Sequence, residues 1–360
     1  MLRVSSFMLY EQLKKALQSD ISDLTRKNLN LTTGKRINKP SDDPAGTIRV
    51  LDYKVSISLN DQYKRNIQQA GIFLGVADKA LGSSQDSLAE LSKILSYGDH
   101  GTSTKDSNFY SSQAALYRDS LLDTANSKLG ERYLFSGYQT DTQAFTFDST
   151  TNHYVYNGDL GAMSVSVDRS GVAQVNIQGS KAFSVTMPGP TPTSLSDGTP
   201  VSYSQVTDPN TGVNTITVEI GNAGDLDHDT FTVSNVMDVA NYMSFAWKGQ
   251  DVDGTALDAS AVVAEQKSQH RLQALYPVVK DASTQLLQNQ TEIGTREAFL
   301  KDRSTRLDNE NLTLESARST AEDADMNATL VDIKMAEVAL EALRSSSAQI
   351  ISQSLFNFLQ

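Results

Sequence analysis

No cysteine occurs among the 360 residues. That excludes disulfides, thiolate nucleophiles and cysteine-based zinc sites. Basic residues are in deficit, 31 Lys and Arg against 43 Asp and Glu, for a formal net charge of −12. Such a surface lacks the basic face that sequence-independent nucleic-acid binding requires. No apolar run reaches the roughly 18 residues of a membrane-spanning helix, so no membrane insertion is expected. The start, MLRVSSFMLYEQLKKALQSD, has no Lys-rich head, continuous apolar block or small-residue cleavage site, so no cleaved signal peptide is expected either.

Catalytic patterns are missing too. There is no HExxH, GxSxG, Walker A or GxGxxG. His100, His153, His228 and His270 show no metal-ligand spacing and read as surface or core-edge residues. Asp225, Asp227 and Asp229 resemble the start of a calcium loop, but the sixth and twelfth positions hold Thr230 and Val236 instead of Gly and Glu. Asp251 and Asp253 fail the same test, and both acidic runs read as solvated turns. The expectation is no enzyme, with no catalytic residue, cofactor or metal.

What is present falls into three zones. Residues 1–130 and 256–360 have helical periodicity, and residues 138–255 read as short β-strands. The first arm carries an apolar stripe through Leu13, Leu17, Ile21, Leu24 and Leu31 in steps of three and four, with Asn28 on the seam. A second stripe runs from Ile48, Leu51, Val55 and Leu59 through Ile67, Leu74, Ala77, Leu81, Leu88, Leu91 and Leu95. One helix from Pro44 to Tyr97 would be roughly 80 Å long. A shorter helix is expected around Tyr110 to Leu129, after the polar turn GDHGTSTKDSN. In the last arm, Pro277 is expected to kink or end a helix. The final stripe comprises Leu330, Ile333, Ala336, Leu340, Leu343, Ile350, Ile351, Leu355 and Phe358. Stripes at both chain ends need a partner: each other, another subunit or a membrane. The polar faces mix both signs of charge, which disfavours the membrane.

In the middle zone, HYVYNG, MSVSVD, VAQVNI, AFSVTM, TITVEIG and DTFTVSN alternate apolar and polar residues, and YVYNG with MSVSVDRSG suggests a hairpin. The fold class expected is α+β: a long antiparallel helical bundle or coiled coil from both chain ends, with an inserted antiparallel β domain.

Between the first two helices lies LTTGKRINKPSDDPAG. Gly34 suits a helix end, and Lys35 and Arg36 sit where cations favour a helix C-terminus. Pro40 is expected to keep the link extended. Asp42 and Asp43 read as caps, with Asp43–Pro44 restarting the helix. This stretch, with DQYKRNIQQA, strongly resembles the N-terminal region of bacterial flagellins and hook-associated proteins. SARSTAEDADMNATLVDIKMAEVAL and SLFNFL resemble the matching C-terminal region. The resemblance spans about residues 1–147 and 275–360. Within the superfamily, KPSDDPAG, NSKLGERYLFSGYQTDTQAF, MSVSVDRSGVAQVNIQGSKAF and DLDHDTFTV look like the branch that joins hook to filament. SARSTAEDAD is closer to the filament-flagellin form.

The resemblance implies a structural adaptor, assembled as a ring of exported subunits and secreted to the extracellular flagellum by a type III route. Residues 1–43 with 319–360 would form an inner core on assembly. Residues 44–137 with 256–318 would form a helical shaft domain, and 138–255 an outward β-rich insertion. Leu13, Leu17, Ile21, Leu24, Leu31, Leu330, Ile333, Leu340, Leu343, Ile350, Leu355 and Phe358 would be the assembly interface. Gly34, Lys35, Arg36, Pro40, Asp42, Asp43 and Pro44 would be the inter-domain joint. Implied partners are copies of itself, a hook-side hook-associated protein, flagellin or filament-side subunits, and an export chaperone on the C-terminal helix. The alternatives are a filament-forming flagellin and, further off, a flagellar protein with a glycan-binding outer domain.

Overall fold

The computed structural model describes residues 6–97, 104–189 and 192–358. The order is α1 (Ser6–Thr33), α2 (Pro44–Ser96), α3 (Thr104–Ala125), β1 (Lys128–Leu129), β2 (Arg132–Tyr133), β3 (Phe145–Asp148), β4 (His153–Tyr156), β5 (Ser164–Ser166), β6 (Val172–Gln174), α4 (Gly179–Phe183), β7 (Val201–Thr207), β8 (Asn214–Ile220), β9 (Asp229–Val233), α5 (Val236–Ala246), α6 (Ala261–Glu322) and α7 (Met326–Phe358). This is the expected α+β class. Among the described residues, no helix is long and apolar enough to cross a membrane, and no cluster of three or more His, Asp or Glu could hold a metal ion. Much of the polar turn before α3, with His100, lies outside the described residues.

Two compact units are present, one from Met1–Gln62 with Arg306–Gln360 and the other from Tyr63–Thr305. Their boundaries fall inside α2 and α6. In the second unit, α2 and α6 run side by side in opposite directions. Gln85 Nε2 donates to Ser283 Oγ at 2.5 Å, and Gln290 Nε2 donates to the Asp78 carbonyl at 3.5 Å. Leu74, Leu81, Leu88 and Leu91 of α2 are at most 1% exposed, as are Leu275, Val278, Leu286 and Ile293 of α6. Pro277 does not end α6. Its neighbours Leu275, Val278 and Val279 are buried, and Tyr203 Oη donates to the Ala274 carbonyl at 2.9 Å, one turn before the proline. Packing offsets the helical hydrogen bond that the proline cannot donate to the Gln273 carbonyl.

The β region departs from the expected pairing. β4 pairs with β3 and β5 with β6, all antiparallel, so YVYNG and MSVSVDRSG do not form one hairpin. In AFSVTM, Ala182 and Phe183 close α4 and Ser184 makes an isolated bridge to Asn235. The stretch VSYSQVT forms β7, the edge of a β7-β8-β9 sheet with Val218 opposite both Tyr203 and Phe231. The zone also contains a helix, α5. Its run VMDVANYMSFA is almost wholly buried, with the polar Asp238, Asn241 and Ser244 covered along with the apolar residues, so its polar side faces the interior rather than solvent. Asn235 caps it, accepting from the Asp238 backbone N–H at 2.9 Å.

The acidic runs are not simply solvated turns. Arg271 is 2% exposed and is held between the carboxylates of Asp229 and Asp251, with its guanidinium over Phe231 and Tyr242. Burial opposes its charge, but the hydrogen bonds it donates to Asp229 and Asp251 outweigh that and raise its pKa. The adjacent His270 has Nε2 2.8 Å from Asp197 and Nδ1 3.6 Å from Asp227. Thus Asp227, Asp229 and Asp251 fasten loops to α6.

Candidate assembly surface

The first unit is built around the ends of α1 and α7. The two helices pack together, and the end of α1 meets the start of α7: Lys27 Nζ donates to the Asp332 carbonyl at 3.4 Å. Ile333 and Leu340 are 5% and 8% exposed, and Leu343 is half-buried. On α1, Leu13, Leu17, Leu24 and Leu31 are half-buried and Ile21 is 47% exposed. Of the residues that the stripe pattern assigns to the interface, Ile333 and Leu340 are therefore covered within the chain, while Ile21 and Leu330 remain open. The side chains of Ile350, Leu355 and Phe358 lie outside the described residues.

The opposite face of α7 carries a second stripe that the sequence reading misses. Val331, Met335 and Val338 are 53%, 65% and 70% exposed, and Ala342 is exposed as well. These positions step by four, three and four, on the far side of the helix from Ile333, Leu340 and Ser347 at about 100° per residue. With Leu330 and Ala339 they line one shallow apolar surface. The signal was present in the sequence, but the two phases merge when every apolar residue is assigned to one stripe.

The start of α2 behaves likewise. Ile48, Leu51, Val55 and Leu59 are 64%, 58%, 52% and 41% exposed. Its other face buries Val50 and Asn60 at 6% and 3%. Asn60 Nδ2 donates to Asn311 Oδ1 at 3.0 Å, and Asn311 Nδ2 to Asp61 Oδ1 at 3.0 Å. This polar ladder between α2 and α6 is of the kind that fixes helix register.

The joint is a built structure. Gly34 ends α1 at φ +68°, a left-handed conformation favouring glycine, and its carbonyl accepts from the Ala324 N–H at 2.9 Å. Lys35 bridges Asp323, and the Arg36 N–H donates to the Glu322 carbonyl at 2.7 Å. Glu322, absent from the sequence assignment, is the anchor. Its side chain is 7% exposed and receives Lys35 Nζ at 2.8 Å and Lys54 Nζ at 2.9 Å. Burial works against its ionisation, but the two lysines outweigh it and hold the carboxyl below its usual range.

Pro40 does not extend the link. It sits in a turn closed by the Asp42 N–H donating to the Lys39 carbonyl at 3.0 Å, where its preset φ fits. The Asp42 carboxylate accepts from the N–H groups of Lys39 and Asn38, which lower its pKa. Asp43 caps α2 through the Gly46 N–H at 2.8 Å, with Pro44 as the first helical residue. A Cβ on Gly46 would meet Ile37 Cδ1 at 2.7 Å, so the cap tolerates little bulk there.

Residues 4–140 match the bacterial flagellin N-terminal helical region. Over 184 residues the chain is 26% identical to flagellar hook-associated protein 3 of Salmonella typhimurium, covering 51% of this chain and 57% of that relative. The chain thus spans little more than half the length of that curated relative. Two solved structures share the fold. A hook-associated protein-3 from Legionella pneumophila superposes with TM-score 0.56 at 18% identity, covering 74% of this chain and 97% of its own. A putative flagellar hook-associated protein from Vibrio parahaemolyticus gives 0.56 at 19%, covering 78% and 100%.

Proposed function

We propose that this chain, whose residues 4–140 match the bacterial flagellin N-terminal helical region, is a member of the flagellin superfamily and a structural adaptor joining the flagellar hook to the filament. The observation that carries this reading is the pair of uncovered apolar stripes, Ile48–Leu59 on α2 and Val331–Ala342 on α7, on helices whose opposite faces are already packed. Open stripes of that size on a folded chain call for helical partners. In this reading the subunits are exported to the extracellular flagellum and close into a ring. Residues 1–43 with 319–360 form its inner layer, 44–137 with 256–318 its wall, and 138–255 face outward. The contacts between copies fall on the outward stripes and on Ile21 and Leu330, with Ile333 and Leu340 as the intrachain seam. The partners are further copies, a hook-side hook-associated protein and filament-side flagellin, with an export chaperone on α7. The fastened joint transmits load between the terminal helices and the rest of the chain.

Deleting the gene tests the proposal. A junction adaptor leaves hooks in place while flagellin is shed into the medium. Hooks bearing normal filaments overturn it, and loss of the filament protein itself supports the filament-flagellin alternative.

A further inference from the structure

A cleft of about 680 Å³ in the second unit lies where α3, the end of α5 and the first turns of α6 converge. Trp247, the chain's single tryptophan, lines it. The indole is 6% exposed, and its Nε1–H is buried without a hydrogen-bond partner. Around it stand Asn108, Lys248, Gln250, Glu265 and Gln269. Gln250 and Gln269 are half-buried, and the other three form an exposed rim. Among the described residues, none of these five side chains makes a hydrogen bond or ion pair. A second cleft, of about 610 Å³ along α6, shows the contrast. There Lys181 pairs with Glu292, and Gln285 and Asn289 both donate to the Lys181 carbonyl. In the first cleft Asp258 and Ser268 are likewise engaged, by Lys267 and by the Ala246 carbonyl, but the five side chains named above are free to bind.

We propose that the Trp247 cleft is a binding site for a neutral oligosaccharide. Its volume falls in the range of small-molecule sites, about 300–1,000 Å³. The lining is predominantly polar, which disfavours a lipid or other apolar ligand. Lys248 offsets Glu265, and the lining's other carboxylate, Asp258, is paired with Lys267, so neither a strong anion nor a strong cation is selected. Planar amides and a carboxylate match vicinal hydroxyls, which both donate and accept. Trp247 contributes its unpartnered Nε1–H as a donor for a sugar hydroxyl. The site belongs to the second unit and the open stripes to the first, and the proposal does not depend on the junction role.

The single tryptophan makes the test direct. The full-length protein is titrated with soluble oligosaccharides containing glucose, N-acetylglucosamine, galactose or mannose, with tryptophan emission as the signal. A saturable change with one class, weakened about tenfold or more in Gln269→Ala and in Gln250→Ala, is the expected result. Circular dichroism confirms that both variants fold. Absence of any saturable change across the panel overturns the proposal. So does a change of equal affinity in the two variants, since the signal then arises elsewhere.

Discussion

Helix α2 carries one apolar stripe through both units and uses it in two ways. Within Tyr63–Thr305, Leu74, Leu81, Leu88 and Leu91 are at most 1% exposed; in the first unit, Ile48, Leu51, Val55 and Leu59 are 41–64% exposed. The residue types and the periodicity are the same. The difference lies in what covers them, and periodicity carries no information about that. Burying one such side chain fully is worth about 1.5–3 kcal/mol, so the open end of α2 holds a substantial association energy that the folded chain leaves unused.

The strongest way to break this comparison is a matched pair of truncations. Leu81→Ala should cost about 2–5 kcal/mol of unfolding free energy, read from urea denaturation. Leu51→Ala should change it by no more than about 0.5 kcal/mol while reducing incorporation into the flagellum. Equal losses in the two variants would mean that the Leu51 stripe is covered in the free chain. Val338→Glu extends the contrast to α7. It should leave monomer stability within about 0.5 kcal/mol, but weaken self-association or incorporation about tenfold or more, since the new charge must be desolvated on docking. Full assembly by this variant would remove the outward face of α7 from the interface.

Glu322→Gln sharpens the comparison inside the first unit, because it removes charge from the joint without opening a cavity. A loss of about 1–3 kcal/mol should appear in hydrogen exchange of the Arg36 amide, with the second unit unaffected. Its pKa is depressed in the folded state. Its contribution is therefore present above the unfolded carboxyl pKa and is lost as pH falls through the lower folded value. Wild-type protection of the joint should fall in acid, and the variant should lose that dependence. An unchanged acid profile would show that the Lys35 and Lys54 pairs add nothing.

The sequence was informative where a local rule acts alone. The Asp43–Pro44 restart, the glycine stop at Gly34 and the extent of α2 follow from capping chemistry and periodicity. Tertiary context decided the rest. α5 is short and buries its polar residues Asp238, Asn241 and Ser244 with its apolar ones, and Pro277 is overridden by packing. β7 lies beside a turn-rich run, and strand partners depend on contacts that no short segment encodes. In the assembly surface, the apolar residues were legible, but not which of the two phases on α7 faced α1. Glu322 lies nearly 300 residues from Lys35, beyond the reach of any local pattern.

The smallest expected effect concerns the second unit. His153 Nδ1 lies 3.3 Å from Asp238 Oδ2, an ion-pair separation without hydrogen-bond geometry. The Asp238 side chain is fully buried and also accepts from the N–H groups of Tyr154 and Ser234 and from Asn235 Nδ2. The Asp238 carboxylate raises the His153 pKa above 6.5; burial opposes the shift, and Asp148 adds a smaller push. A raised folded-state pKa makes the contribution full below the unfolded histidine pKa and lost as pH rises through the folded value. Over the window that opens as pH rises past the unfolded histidine pKa and through the raised folded one, the second unit should therefore lose a small increment of stability, and His153→Gln should flatten that slope. The first unit has no histidine, so its hydrogen exchange, corrected for intrinsic rates, should show no matching step across the window. A step of equal size in both units, or an unaltered slope in His153→Gln, would assign the pH dependence to other groups.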